Sequence, residues 1–411
     1  MLFSAEEIAG LAGEMPSDEA APDSWQPSST LYGGAHLFGR AAVEKVGRVA
    51  CAVLERHAPD GATLARVMGW RDVDAARIHG RLAEKLQTCP VEDMRIDFED
   101  GYGVRPDDEE DRDATRTATE AAAAWEAGVA PRRLGVRPRA FTRSAFARSV
   151  RTLDLFFSTL AGRGAPPPGF VVTLPKVRGD EEVVLLGRVL AATEQRLGWA
   201  RRSLGAELML ETPRAIVDAG GGSPLPRWVE LLEGRLVGVH LGSYDLTAAL
   251  DVAAPDQEAS HAACDLARIH AKLALAGTGV HVSDGATTVL PVARHRAPAS
   301  EGEARENDEV IQGALRLHAR NVRAALALGI HQGWDLHPAQ LVARYAALMA
   351  FYAEALPRMT ARLSNFLAAE ERATRVGETF DDAATGAGLR GFFRRGIACG
   401  AIDAESMPGA K

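Results

Sequence analysis

Residues 205–246 read GAELMLETPRAIVDAGGGSPLPRWVELLEGRLVGVHLGSYDL. Two short apolar runs, Glu207–Leu210 and Leu236–Leu241, flank a helix-forming stretch at Pro226–Leu232, and each run leads directly into a tag carrying a carboxylate, Glu211 in the first and Asp245 in the second. Short apolar runs bounded by turn residues mark buried strands, and a helical stretch between two of them marks a strand–helix–strand crossover. The unit repeats outward in both directions. Further runs stand at Leu31–Phe38, Met94–Phe98, Leu134–Arg137, Phe170–Pro175, Gly279–Ser283 and Gly329–Leu336, separated by helical stretches at Ala41–Arg56, Ala114–Ala127, Val183–Leu197, Ala259–Ala276 and Ile311–Leu328. Eight such units predict an α/β fold, a closed (β/α)8 TIM barrel. Two links are weaker: a Pro166-Pro167-Pro168 loop interrupts the helix after Arg137, and an extra helix precedes Met94.

The chain divides into a Pro-containing leader over residues 1–29, a barrel catalytic domain over 30–340 and a C-terminal helical extension, or lid, over 341–411. Its 411 residues are 46% hydrophobic and 25% charged, which places it among globular proteins rather than disordered ones. The net charge of −8 is spread along the chain, which argues against nucleic acid or a membrane surface as partner and favours a small-molecule ligand. No apolar run approaches the ~18 residues of a spanning helix. Glu6, Glu7, Glu14, Asp18 and Glu19 contradict the basic start of a secretory signal, so a cytoplasmic location is expected. Cys51, Cys89, Cys264 and Cys399 form no CxxC pair, and His261 with Cys264 lacks the second pair of a structural zinc site; reduced thiols are expected.

In a TIM barrel the chemistry collects at the C-terminal ends of the strands. Seven successive predicted strands end in ionisable groups: Asp97, Glu99 and Asp100; Arg137 and Arg139; Lys176; Glu211; Asp245; Asp284; Asp335 and His337. Neighbouring strands lie about 4.8 Å apart, so Glu211 and Asp245 at adjacent strand ends can share one hard cation, and Mg2+ is the ion commonly held by one or two carboxylates plus water and substrate oxygens. The competing reading makes Glu211 and Asp245 helix caps. Glu99 and Asp100 are candidates for outer hydrogen bonds to metal-bound water, against a plain Asp-Gly turn with Asp97 facing solvent. Arg137 either grips a carboxylate or enolate oxygen or forms a salt bridge to the acidic rim. Lys176 and His337 are open between substrate contacts and structural ones.

The ordered tags Asp97-Phe-Glu-Asp-Gly101, Gly135-Val-Arg137, Leu174-Pro-Lys-Val177, Leu210-Glu-Thr212, Gly242-Ser-Tyr-Asp-Leu246 and Gly333-Trp-Asp-Leu-His-Pro338 resemble the citrate lyase β-subunit-like proteins of the HpcH/HpaI aldolase superfamily, and the first also resembles malate synthase. The matched region runs from about Asp97 to Gln340. The resemblance implies a Mg2+-dependent carbon–carbon lyase or aldolase, with Mn2+ as substitute ion, acting on a small oxo- or hydroxy-carboxylate, with a coenzyme A thioester among the substrates. By motif position it makes Glu211 and Asp245 the metal ligands, Arg137 the residue that holds substrate and stabilises the enolate, and Glu99 and Asp100 outer residues of the site. It also implies a homo-oligomer, a trimer or hexamer, in which a C-terminal segment closes over the site; Asp381 or Asp382 would supply its carboxylate. The chain departs from the family in its long Glu211-to-Asp245 interval, its opening strand and Gly333, where Lys is frequent. Competing expectations are a Mg2+ enzyme of the phosphoenolpyruvate or isocitrate lyase type and a non-catalytic subunit of a larger complex.

Overall fold

The computed structural model describes residues 25–71, 73–370 and 383–409. The predicted barrel is there: β1 (Ser29–Gly34), β2 (Asp93–Asp97), β3 (Arg133–Arg137), β4 (Val171–Leu174), β5 (Gly205–Leu210), β6 (Leu236–Leu241), β7 (His281–Asp284) and β8 (Gln332–Asp335) pair in sequence order. All pairings are parallel, and β1 closes on β8 through Ser29↔Gly333 to Leu31↔Asp335. The helices are α1 (Arg40–His57), α2 (Gly61–Met68), α3 (Ala75–Thr88), α4 (Asp107–Glu126), α5 (Phe146–Ala161), α6 (Asp180–Leu197), α7 (Pro213–Ile216), α8 (Leu225–Leu231), α9 (Ser243–Ala249), α10 (Ala262–Ala274), α11 (Glu301–Ala327), α12 (Gln340–Glu370) and α13 (Ala383–Ala398).

Boundaries differ from the sequence reading where an end is polar. The first strand stops at Gly34 and passes into a 3-10 turn at Ala35–Leu37 rather than running to Phe38. α4 starts at Asp107 rather than Ala114, because Asp107, Asp108, Glu109 and Glu110 fill its first turn, where the helix dipole favours negative charge. The extra helix before Met94 is a pair, α2 and α3, started by Asp60 and Asp74, whose carboxylates accept from Thr63 and Arg77 backbone N–H groups. The expected leader lies almost wholly outside the described residues, as do Asp381 and Asp382.

Apolar residues pack the layer between strands and helices: in β2, Met94 and Ile96 join the core with Phe98, Val136, Leu208 and Leu210. The alternate residues face the barrel interior, and many of those are charged. Arg95 on β2 donates from Nη2 to Glu207 Oε1 (2.6 Å) and from Nε to Glu207 Oε2 (2.9 Å), crossing the lumen to β5. It also bonds Asp93 through Nη2 (2.9 Å) and Thr173 on β4 (3.0 Å). Asp93 in turn accepts from Thr30 on β1 (2.9 Å), and His240 Nε2 on β6 lies 3.3 Å from Glu207. Arg95, Asp93 and Glu207 are all shut off from water. A charge in such a place persists only when paired and hydrogen-bonded.

Replacing Arg95 with leucine leaves Asp93 and Glu207 buried without their cation, and stability is expected to fall by about 3–5 kcal/mol. Equilibrium urea unfolding checks this; a loss of about 1 kcal/mol or less, the scale of an exposed pair, contradicts it.

Candidate active site at the C-terminal rim

Glu211 follows β5 by one position and continues the inward alternation of Glu207 and Met209. It does not cap α7: Thr212 does, its hydroxyl accepting from the Ala215 N–H (3.2 Å). Freed from capping, the Glu211 carboxylate lies buried and accepts the Lys176 backbone N–H at 2.6 Å. Its side chain rests against Gly242 at the end of β6, where a Cβ would come within 2.4 Å of both Glu211 Cβ and Oε2; only glycine fits. Asp245 sits in the first turn of α9, makes no cap hydrogen bond and is partly open to solvent. Burial pushes the Glu211 carboxyl up to about 8, opposed by Arg137 and reinforced by the nearby charge of Asp245. The two acids are thus electrostatic neighbours, one dry and one wet.

Asp97 does not face solvent. It is 1% exposed and accepts two bonds from Arg137, Nε at 2.7 Å and Nη2 at 2.6 Å, together with the N–H groups of Glu99 (2.9 Å) and Gly101 (2.7 Å). This bidentate grip leaves Arg137 Nη1 buried with no hydrogen-bond partner among the described residues, 3.8 Å from Glu99 Oε2. The guanidinium carbon lies 4.8 Å from the centre of the Tyr32 ring and 5.8 Å from that of Trp334, so aromatic faces help fix its plane.

Lys176 has a left-handed backbone, φ 53°, unusual for a residue with a side chain. That turn aims its N–H at Glu211 and sends its ammonium to Glu99 Oε1 (2.7 Å) and both oxygens of Asp100 (3.0 Å), with Asp245 Oδ1 at 3.6 Å. Burial opposes the charge, but the surrounding carboxylates hold Lys176 firmly protonated; burial raises Glu99.

Glu99, Asp100, Arg137, Lys176, Glu211 and Asp245 therefore meet at one rim. Other strand-end groups do not. Asp284 and Asp335 are the last residues of β7 and β8, but alternation turns both outward: Asp284 pairs with Arg268 of α10 (2.7 Å), and Asp335 with Arg344 of α12 (2.6 Å) and His318 of α11 (2.9 Å). Arg139 turns to Glu110 of α4 (2.9 Å). His337 is half-buried and its Nδ1 accepts the Ala339 N–H (3.2 Å), a local turn contact; burial lowers its pKa. No hydrogen bond or ion pair joins it to the cluster among the described residues. The sequence reading gives no role to Tyr32 or Trp334 and places Asp97 either among the acidic strand ends or facing solvent. The signal was the alternation Asp93-Met-Arg-Ile-Asp97, charges at every second position of a strand buried on both sides.

Among the described residues no three His, Cys, Asp or Glu side chains form a ready metal cage. The donor set at Glu211 and Asp245 nevertheless fits Mg2+, which takes one or two carboxylates and completes its shell with water and substrate oxygens. A family model, a domain of unknown function (DUF6986), matches residues 8–410. The chain belongs to the DUF6986 family. No curated protein matches it. Solved structures share the fold of this DUF6986 chain: a citrate lyase from Burkholderia xenovorans LB400, 19% identical over 96% of this chain and 97% of that one, with a TM-score of 0.61, and the malate synthase of Haloferax volcanii in a magnesium/glyoxylate complex, 15% identical over 93% and 99%, with a TM-score of 0.51. The barrel is thus common to the proteins whose motifs the sequence resembles. No described helix is long and apolar enough to cross a membrane.

Between about pH 4.5 and 8 the folded DUF6986 chain keeps a proton on Glu211 that the unfolded chain has lost. Folded protein then binds more protons than unfolded, so without divalent ions this group makes stability fall as pH rises through that window. Glu211→Gln is expected to flatten that part of the pH–stability curve, read from urea midpoints at fixed salt. Unchanged slopes in the two proteins would show that Glu211 is ionised throughout.

Proposed function

We propose that this chain is a Mg2+-dependent carbon–carbon lyase or aldolase that cleaves or condenses a small oxo- or hydroxy-carboxylate, free or as a coenzyme A thioester. The reading is carried by one juxtaposition: Glu211 and Asp245 at adjacent strand ends, where the charge of Asp245 adds to burial in keeping the Glu211 carboxyl protonated, beside a buried Arg137 whose Nη1 has no hydrogen-bond partner among the described residues. Glu211 and Asp245 would hold the ion. When bound, Mg2+ supplies Lewis acidity to the carboxylate and carbonyl oxygens of a 2-oxo acid.

The remaining work falls to the chain's own groups. Arg137 Nη1 points a charged donor into a dry site, where it offsets the negative charge that develops on an enolate oxygen. Asp97 engages the other two guanidinium nitrogens and sets the guanidinium plane, so this donor costs no reorganisation during reaction. Tyr32 and Trp334 pack their rings near the guanidinium and against each other, which helps hold its plane. Lys176 holds Glu99 and Asp100 in place for outer hydrogen bonds; they and Lys176 are positioning residues, and His337 is not part of the proposed machinery. A phosphoenolpyruvate or isocitrate lyase chemistry draws less support, because the basic set that would hold a phosphate is already engaged: Arg139 with Glu110 and Lys176 with three carboxylates.

Exchange of the methyl protons of a 2-oxo acid in D2O with Mg2+ or Mn2+, followed by NMR, reports enolate formation directly. Arg137→Lys keeps a cation on Asp97 and is expected to slow exchange by about 10²–10³-fold with Mn2+ affinity nearly unchanged. Glu211→Gln is expected to lose Mn2+ affinity and exchange together. Equal Mn2+ affinity in wild type and Glu211→Gln refutes the metal assignment. Normal Mn2+ binding without turnover of any acid or thioester points to the non-catalytic subunit.

A further inference from the structure

Trp334 stands on β8 between Gly333 and Asp335. Asp335 turns outward to Arg344, and a Cβ on Gly333 would come within 2.6 Å of the same guanidinium, so both belong to the helix side and alternation sends the Trp334 side chain into the barrel. There the indole reaches past β7: Nε1 donates to the carbonyl of Leu241, the last residue of β6, at 2.9 Å, while the ring centre lies 5.8 Å from the guanidinium carbon of Arg137 on β3. Leu241 precedes Gly242, the residue against which Glu211 rests. The indole therefore joins the two parts of the rim that the proposed chemistry uses, the Arg137 donor and the strand end beside Glu211.

Tyr32 packs beside it, ring centres 4.8 Å apart, with its hydroxyl 3.8 Å from Met209 Sδ on β5 and its ring 6.0 Å from that of His240 on β6. Tyr32, Met209 and His240 are buried, whereas Trp334 keeps part of its surface open. A tryptophan N–H in such a place needs an acceptor, which accounts for the bond to Leu241. That bond leaves the open surface of Trp334 wholly apolar. It does not account for a large aromatic ring left part-open beside a charged donor and an acidic rim.

We propose that Trp334 is the specificity-determining residue of this site, the wall that selects a 2-oxo acid of pyruvate size and rejects acids with substituents on the third carbon. The inference rests on the reading of Glu211, Asp245 and Arg137 given above. An acid whose oxygens are taken by Arg137 on one side and by the Glu211–Asp245 pair on the other lies across the indole that joins them. One face of its third carbon must stay open to a second reactant. The open side is that of Asp245 and Lys176, both part-exposed, so an unreactive substituent turns toward the ring. A rigid apolar wall discriminates a single added methylene by about tenfold or more.

Isothermal titration of the full chain with Mn2+ present tests this, using pyruvate, 2-oxobutyrate and 3-methyl-2-oxobutyrate, which differ only in the methyl groups on that carbon. Wild type is expected to lose about tenfold or more in affinity at the first added methyl group. Trp334→Leu is expected to shrink that pyruvate-to-2-oxobutyrate ratio by about tenfold, and Trp334→Phe, which keeps a ring, by less. If the indole served only to steady Arg137, its loss would weaken all three acids alike and leave their ratios in place. An unchanged ratio in both variants therefore overturns the proposal, and so do equal affinities for the three acids in wild type, a result that needs no variant to fold. Either outcome leaves the metal reading standing. Absence of Mn2+-dependent binding of every acid to wild type overturns that reading and this proposal with it.

Discussion

Charge buried in the barrel lumen is the constraint on which the rest of the structure depends. Barrels of this kind are usually filled by branched aliphatic side chains, whereas here Asp93, Arg95, Glu207, His240, Asp97 and Arg137 occupy inward positions. Away from water each must find its partner within the lumen, and only one register allows that. Arg95 spans from β2 to β5, and Asp97 faces Arg137 across the β2–β3 pairing. A slip of one residue would turn every one of these charges into the apolar layer beneath the helices. The polar interior therefore fixes register more strictly than aliphatic packing does, because an unpaired buried ion costs more than a displaced methyl group.

That register also sorts the strand ends. Glu207 faces inward, so Met209 and Glu211 do too; His240 aligns with Met209, Ser283 with His240, and Gln332 with Ser283. Asp284 and Asp335 fall on the opposite parity and serve the helices. In the sequence all of these are carboxylates after an apolar run and look alike. The eight strands are legible because their apolar runs are short and sharply bounded, and the meeting of Glu211 with Asp245 is legible because both lie just past adjacent strands. What is not legible is which acid faces the lumen, since that depends on the pairing of strands distant in sequence. The alternation in Asp93–Asp97 carries the needed parity, but only a closed barrel turns it into geometry.

At the rim, pairing is incomplete. Asp97 takes two of the three guanidinium nitrogens of Arg137, and the ammonium of Lys176 must serve Glu99, Asp100 and Asp245 together. Among the described residues Glu211, the most buried of the remaining acids, receives only a backbone N–H in hydrogen bonding. Four carboxylates thus share one ammonium and one guanidinium nitrogen. In the lumen just below, Asp93, Glu207 and Asp97 are each hydrogen-bonded to a guanidinium, so this shortage of partners is local to the rim. The left-handed backbone of Lys176 belongs to the same arrangement: with φ at 53° its N–H meets Glu211 while its ammonium reaches Glu99 and Asp100.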